Sequence, residues 1–206
     1  MKNVLSSDIF LIFAAAMEKI IIRDATIDDS GFIARCVMAA AGICDFTEDP
    51  ADETRKRVFN ELCAMDHSLY CWNHARIAVD NETGKSAGCL ISYDGYRYAR
   101  AREMTFGYFE EQTGMKIEDC DMETCKGEYY LDSLAVAPQY RGRSIGRMLI
   151  DDALNKGYES GHRRFSLIAE KHSEPLLKYY SGIGFKAEED IVFFGTDYLR
   201  MILARD

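Results

Sequence analysis

YYLDSLAVAPQYRGRSIGRMLIDDAL, Tyr129 to Leu154, combines a strand, a basic turn and the start of a helix. Tyr129 to Val136 is rich in aromatic, aliphatic and β-branched residues, which predicts a strand, and Ala137-Pro138 ends it. From Gly146 onward Leu149, Ile150, Ala153 and Leu154 recur at the spacing of a helix face. Between strand and helix lies the turn Gln139 to Arg147. Its glycines let backbone N–H groups converge, the helix adds the positive end of its dipole, and Arg141, Arg143 and Arg147 add full charges. Such a turn suits a di-anion such as a pyrophosphate. It is not an ATP-type phosphate loop: Gly142 to Gly146 is too short, and Arg147 stands where Lys followed by Ser or Thr is required.

The same residues carry a family resemblance. Gln139-x-x-Gly142-x-Ser144, directly after Leu134-Ala135-Val136, resembles the acetyl-coenzyme A signature of the GNAT superfamily of N-acetyltransferases, Q/R-x-x-G-x-G/A. Downstream, Tyr179-Tyr180-Ser181-Gly182-Ile183-Gly184-Phe185 resembles the family's L-Y-x-x-x-G-F segment. Each motif is short, but their order and their separation by one helix and one strand make the pair specific over Lys19 to Leu203. The resemblance implies an α/β fold with a mixed, mostly antiparallel central sheet of about six to seven strands and flanking helices. It implies acetyl-coenzyme A as co-substrate, with no metal. Backbone amides at Leu134, Ala135 and Val136 would serve the pantetheine arm and thioester, and Gln139, Arg141, Gly142, Arg143, Ser144, Ile145, Gly146 and Arg147 the pyrophosphate. Two residues depart from the pattern. Ser144 replaces the usual Gly or Ala, and Ser173 stands where many members have an Asn against the cofactor.

Moving an acetyl group from a thioester to an amine requires a neutral nucleophile, a polarised carbonyl and a proton for the departing thiolate. A lysine-like amine titrates near pKa ~10.4, so presenting its neutral form at pH 7 costs roughly 4 to 5 kcal/mol. A base on the strand would help. Strand periodicity places Glu128, Tyr130, Asp132 and Leu134 on one face. Asp132 stands two residues before Leu134-Ala135-Val136, where some related enzymes, the arylalkylamine acetyltransferases among them, carry a base such as His. The resemblance therefore makes Asp132 the first candidate base and Glu128 the second, either acting directly or through water. A carboxylate that only orders the strand end is the alternative. By resemblance, Tyr180 protonates the leaving sulfur, while Tyr179 falls where the family usually has Leu and is expected to pack.

At 206 residues the chain has room for one domain with a proper core. Met1 to Ala16 reads as an N-terminal extension or peripheral helix preceding a domain over residues 17–206; its IFLIFAAA run is a poor secretory signal, with only Lys2 basic. No run approaches the roughly 18 apolar residues of a membrane span. Seven cysteines without a C-x-x-C pair argue against a disulfide framework and a zinc site, and suit a reducing cytoplasm. A net charge of −9 disfavours nucleic acid or an anionic membrane as partner and favours a cationic one. The excess is concentrated in residues 45–53 and 110–128, which either line an acceptor groove or are solvated loops. A homodimer is common in folds of this kind.

Along the chain, Lys19 to Ala25 predicts a first strand and Thr26-x-x-Asp29 opens a helix to about Ala41. Pro50 to Met65 predicts a second helix, and His74 to Asp80 with Lys85 to Tyr93 a hairpin. Tyr96, Tyr98, Phe106, Tyr108 and Phe109 lie in a helical stretch and are expected in the core. Asp119-x-Asp121-x-Glu123 resembles a calcium loop opening, but Thr124 and Tyr130 occupy the positions needing Gly and Glu. Arg164 to Glu170 predicts a strand, Ser173 to Ser181 a helix capped by Ser173, and Ile191 to Leu203 a closing strand pair.

The expected activity is acetyl transfer to a primary amine, a cationic small molecule or lysine-like group, by direct attack in a ternary complex. Two alternatives stand beside it. A catalytically weak acyl-coenzyme A sensor or interaction module would bind the cofactor without turnover. A serine hydrolase would use Ser144 of Gly142-x-Ser144-x-Gly146, which fits the nucleophile elbow motif, although the spacer after Val136 and the missing downstream Asp-then-His order speak against it.

Overall fold

The computed structural model describes residues 19–44, 46, 52–118 and 120–205. The expected N-terminal extension, most of the acidic 45–53 linker and Asp119 of the calcium-like pattern lie outside them. In chain order the elements are β1 (Ile20–Asp24), α1 (Ser30–Ala40), α2 (Glu53–Ala64), β2 (Ala75–Asp80), β3 (Ser86–Asp94) and α3 (Tyr98–Thr113). Then come β4 (Tyr129–Val136), α4 (Ile145–Glu159), β5 (Arg164–Glu170), α5 (Glu174–Ile183), β6 (Lys186–Phe193) and β7 (Thr196–Ala204). The seven strands form one sheet in the order β1-β2-β3-β4-β5-β7-β6. Every neighbouring pair is antiparallel except β4 and β5.

Local chemistry explains most boundaries. Thr26 and Asp29 form a capping box around the 3-10 turn Ile27–Asp29, with the Thr26 amide donating to Asp29 Oδ2 at 2.8 Å, and the chain runs on into α1. Asp52 caps α2 by accepting from the amides of Thr54 and Arg55 at 3.0 and 3.2 Å, so that helix starts at Glu53. Ser173 occupies the N-cap of α5 as expected, without a side-chain capping bond. β6 begins at Lys186 rather than Ile191, because its first five residues are exposed on the sheet edge and lack an apolar alternation to announce them. Of the five aromatics expected in the core, Tyr98 alone is fully buried; Tyr96 precedes α3 and is 63% exposed.

Leu149, Ile150, Ala153 and Leu154 of α4 are buried, and each Leu or Ile contributes about 1.5–3 kcal/mol by leaving water. They set α4 on the face of the sheet that carries Tyr129 and Val136: a Cβ on Gly157 would meet Tyr129, and one on Gly146 would lie 3.9 Å from Val136. β4 does not keep a single alternation. Its pairing with β3 shifts between Leu90↔Leu134 and Ser92↔Leu131, so Asp132 and Ser133 together face one residue, Ile91. That β-bulge inserts one residue and reverses the faces beyond it. Tyr130 and Asp132 therefore point away from α4, whereas Leu134 approaches Gly146 on the α4 side. This corrects the expectation that Leu134 shares a face with Asp132.

Among the described residues no helix is long and apolar enough to cross a membrane.

Candidate active site

β4 and β5 are hydrogen-bonded strands only at Tyr129↔Phe165 and Tyr130↔Ser166. Beyond Tyr130 they separate, and the edge of β4 facing β5, which includes Leu134, Ala135 and Val136, has no strand partner. Its backbone groups need another acceptor or donor, since unpaired main-chain polar groups are costly once water is excluded. The opening adjoins the bulge at Asp132–Ser133 and leads toward the basic turn.

The turn leaves β4 through a 3-10 segment, Pro138–Tyr140, and enters α4 at Ile145. Gly142 has φ +76° with no atom within 4 Å of a would-be Cβ, and Ser144 has φ +59°, a left-handed conformation that explains why the signature prefers glycine there. Gln139, Arg141, Gly142, Arg143 and Ser144 are exposed, and the first turn of α4 carries no acid. Arg141 Nε donates to the Val136 carbonyl at 3.2 Å, the Arg143 guanidinium lies over the Tyr140 ring, and Arg147 pairs with Asp151 at 2.8 Å. The leading amides of α4 have no intrahelical acceptor. This cradle of free amides with three arginines fits a pyrophosphate. The 3-10 segment also means that Ser144 is not reached by the sharp strand-to-helix turn of a hydrolase elbow.

Tyr180 lies on α5, half-buried, its ring 6.2 Å edge-on from that of Phe185. Burial pushes its phenol up to about 12, with a smaller contribution from neighbouring Tyr179. Such a phenol holds its proton at neutral pH. Tyr179, expected only to pack, places its hydroxyl 3.4 Å from where a Cβ of Gly146 would stand, over the start of α4. Ser173 is half-buried at the head of the same helix.

The two expected bases lie in different surroundings. Glu128, just before β4, is buried and ion-paired with Arg200, and with Arg164 at 2.9 Å. Burial alone would raise its pKa, but the hydrogen bonds from Arg200 and Arg164 prevail and hold it at about 2. A carboxylate so committed is a weak base, and its place is structural. Asp132 accepts from the Tyr93 hydroxyl at 2.5 Å and from Ser133 at 2.7 Å, with no described cation in ion-pair contact. Burial raises its pKa, against the lowering effect of those two bonds.

Glu123 is a residue that sequence reasoning passed over, appearing there only in a rejected calcium pattern. It is buried and accepts from Tyr98 at 2.7 Å and Tyr130 at 2.5 Å. Burial first, and Asp132 second, push its carboxyl up to about 7. Neither spacing nor periodicity could have marked it, because it comes from the irregular chain after α3. Of the acidic residues between 110 and 128, Glu123 and Glu128 are thus interior groups. Among the described residues no cluster of His, Cys, Asp and Glu could hold a metal ion, and all seven cysteines are free.

The comparisons with known proteins agree with this architecture. The model of the acetyltransferase (GNAT) family matches residues 43–185. The fold is similar to that of an N-acetyltransferase from Staphylococcus aureus Mu50, with TM-score 0.71 and 24% identity over 89% of this chain and 100% of that one. Another acetyltransferase structure gives TM-score 0.71 and 23% identity over 89% and 98%. The structure of yncA from Salmonella typhimurium with its cofactor acetyl-CoA gives TM-score 0.55 and 16% identity over 91% and 95%. No curated protein matches the sequence. With the family model spanning well over half of the chain, and the parted strands and basic turn lying within its match, the chain belongs to the acetyltransferase (GNAT) family.

Proposed function

We propose that this N-acetyltransferase moves an acetyl group from acetyl-coenzyme A to a primary amine on a cationic small molecule or lysine-like acceptor, by direct attack in a ternary complex. The observation that carries the reading is the parting of β4 from β5 after Tyr130, which leaves the β5-facing side of Leu134–Val136 without a strand partner between the basic turn and Asp132. The co-substrate supplies the acetyl group and a thiolate leaving group. The amides and arginines of residues 141–147 bind its pyrophosphate, and the free edge of β4 orients the pantetheine arm and polarises the thioester carbonyl. Asp132 removes the proton from the acceptor ammonium, and Tyr180 donates one to the leaving sulfur.

The cationic acceptor is supported by the net charge of −9. Thiol release from acetyl-coenzyme A, measured against polyamines, aminoglycosides, aryl amines and peptide N-termini, tests the reading. At least one cationic amine should support turnover, and its apparent affinity should weaken as salt rises from low ionic strength, where the Debye length is ~30 Å, to physiological salt at ~8 Å. Tight cofactor binding with no thiol release for any amine would make the protein a sensor instead. A best acceptor that is neutral, with salt-insensitive kinetics, would remove the electrostatic part.

A further inference from the structure

Glu123, buried, and Asp132, half-buried, are two carboxylates that accept from one cluster of phenols. Tyr98 and Tyr130 donate to Glu123, Tyr93 donates to Asp132, and the three rings pack on one another at centroid distances of 5.7 to 6.4 Å. The rings come from β3, α3 and β4, so the cluster is built by the core of the sheet and not by a surface loop. Burial first, then the charges of Asp132 and Glu123, raises the Tyr70 phenol, and burial, then Glu170 and Glu123, raises that of Tyr198 on β7. The charge of Arg102 of α3 acts to lower the Glu123 pKa, and among the described residues Arg102 forms no ion pair with a carboxylate. Its Nη2 donates to the Cys120 carbonyl at 2.6 Å, its guanidinium lies over Phe106, and its Nε is buried without a partner.

A buried and a half-buried carboxylate in one cluster, neither with an ion-paired cation among the described residues, cannot both ionise cheaply, and their titrations belong to the pair. Phenol donors offset part of that cost while supplying no charge. Glu123 holds no position in the sequence signatures and touches neither the basic turn nor the parted edge of β4. Its links are to Tyr98, to Tyr130 and, through the shared cluster, to Asp132.

Resting on the acetyl-transfer reading above, we propose that Glu123 is a positioning residue for catalysis: it shares one proton with Asp132 and so makes that dyad, carrying a single negative charge, the base for the acceptor ammonium. One ammonium proton passes to the dyad. The freed nitrogen lone pair forms the C–N bond at the thioester carbonyl as the C–S bond breaks, and the thiolate takes the Tyr180 proton. The second proton shed by nitrogen replaces the one given by Tyr180, the dyad returns its proton to solvent, and one proton is released per amide formed.

Carboxylate titration of the substrate-free full-length chain, by ¹³C NMR with labelled Asp and Glu, tests the dyad without reference to activity. Asp132 and Glu123 should each respond in two linked steps, and in Glu123→Gln Asp132 should collapse to one step about a unit or more lower. The acidic limb of kcat/KM should move down by the same amount, a shift that a merely structural role would not produce. A one-step Asp132 titration identical in the native chain and Glu123→Gln overturns the proposal. Should Glu123→Gln fail to fold, Tyr98→Phe keeps both carboxylates and removes one donor to the anion. The Glu123 step should then rise, and an unmoved step overturns the proposal equally. Thiol release that proceeds with an acidic limb unchanged in Glu123→Gln overturns the dyad's catalytic part and leaves acetyl transfer standing. Absence of thiol release with every amine, beside a linked titration, sinks the transfer reading and the catalytic part with it, and supports the shared proton alone.

Discussion

Glu128 and Arg200 form an ion pair within the sheet: the carboxylate at the head of β4 and the guanidinium of β7, both buried, meet across β5, with Arg164 as the second donor. Removing one partner of such a pair leaves the other charge buried and uncompensated, at a cost of about 3–5 kcal/mol. Glu128→Gln should destabilise the fold by about that amount in urea unfolding. The pair also has a pH signature. The folded carboxyl sits at about 2, below the ~4.3 of an unfolded chain, so its contribution is complete above the unfolded value and disappears as pH falls from there toward 2. The native chain should lose stability over that acid range more steeply than Glu128→Gln, and equal slopes would show that the pair does not govern it.

Gly95 is where the chain carrying Glu123 and Glu128 comes closest to the end of β3. A Cβ there would lie 2.2 Å from the Cys125 carbonyl oxygen, and the Gly95 amide donates to the Glu128 carbonyl at 2.9 Å. Gly95→Ala has to push backbone against backbone, with an expected loss of about 1–3 kcal/mol. A variant as stable as the native chain would mean that the segment has room to move.

The basic turn should govern co-substrate affinity. Charged hydrogen bonds contribute roughly 1.5–3 kcal/mol each, so Arg141→Ala should weaken acetyl-coenzyme A binding by about tenfold to a hundredfold. Gly142→Asp adds both a strained side chain at φ +76° and a charge repelling phosphate, and should weaken it further. Unchanged calorimetric affinity in both variants would move the pyrophosphate elsewhere.

Ser144→Ala separates transferase from hydrolase. Alanine is a family residue at this place in the turn, so amine-dependent thiol release should be largely retained. Abolished turnover together with covalent labelling of Ser144 by a fluorophosphonate probe would overturn acetyl transfer.

Tyr180→Phe keeps the ring against Phe185 and removes the hydroxyl. If that hydroxyl protonates the leaving sulfur, kcat should fall by about 10² to 10⁴ where chemistry limits the rate. Burial has already raised the phenol to about 12, which keeps the donor protonated through neutral pH. An unchanged kcat would take Tyr180 out of the mechanism.

Much of this is legible in the sequence. The strand–turn–helix of residues 129–154 could be read because its determinants are local: alternation ending at Ala137-Pro138, glycines where the backbone turns, and apolar residues at helical spacing. The seven-stranded mixed sheet followed from the resemblance carried by Gln139-x-x-Gly142-x-Ser144 and Tyr180-x-x-x-Gly184-Phe185. The rest depended on residues far apart in the chain. A bulge exists only when β3 pairs with β4 in one register, so no reading of β4 by itself could move Leu134 to the α4 face. Glu128 and Asp132 look alike four residues apart, yet one meets arginines from β5 and β7 and the other a tyrosine from β3. Charge and chain spacing nominated Glu128 and Asp132 but not Glu123. The desolvation and partners that separate a pKa of about 2 from one of about 7 exist only once the strands pair and the chain after α3 closes Glu123 between Tyr98 and Tyr130.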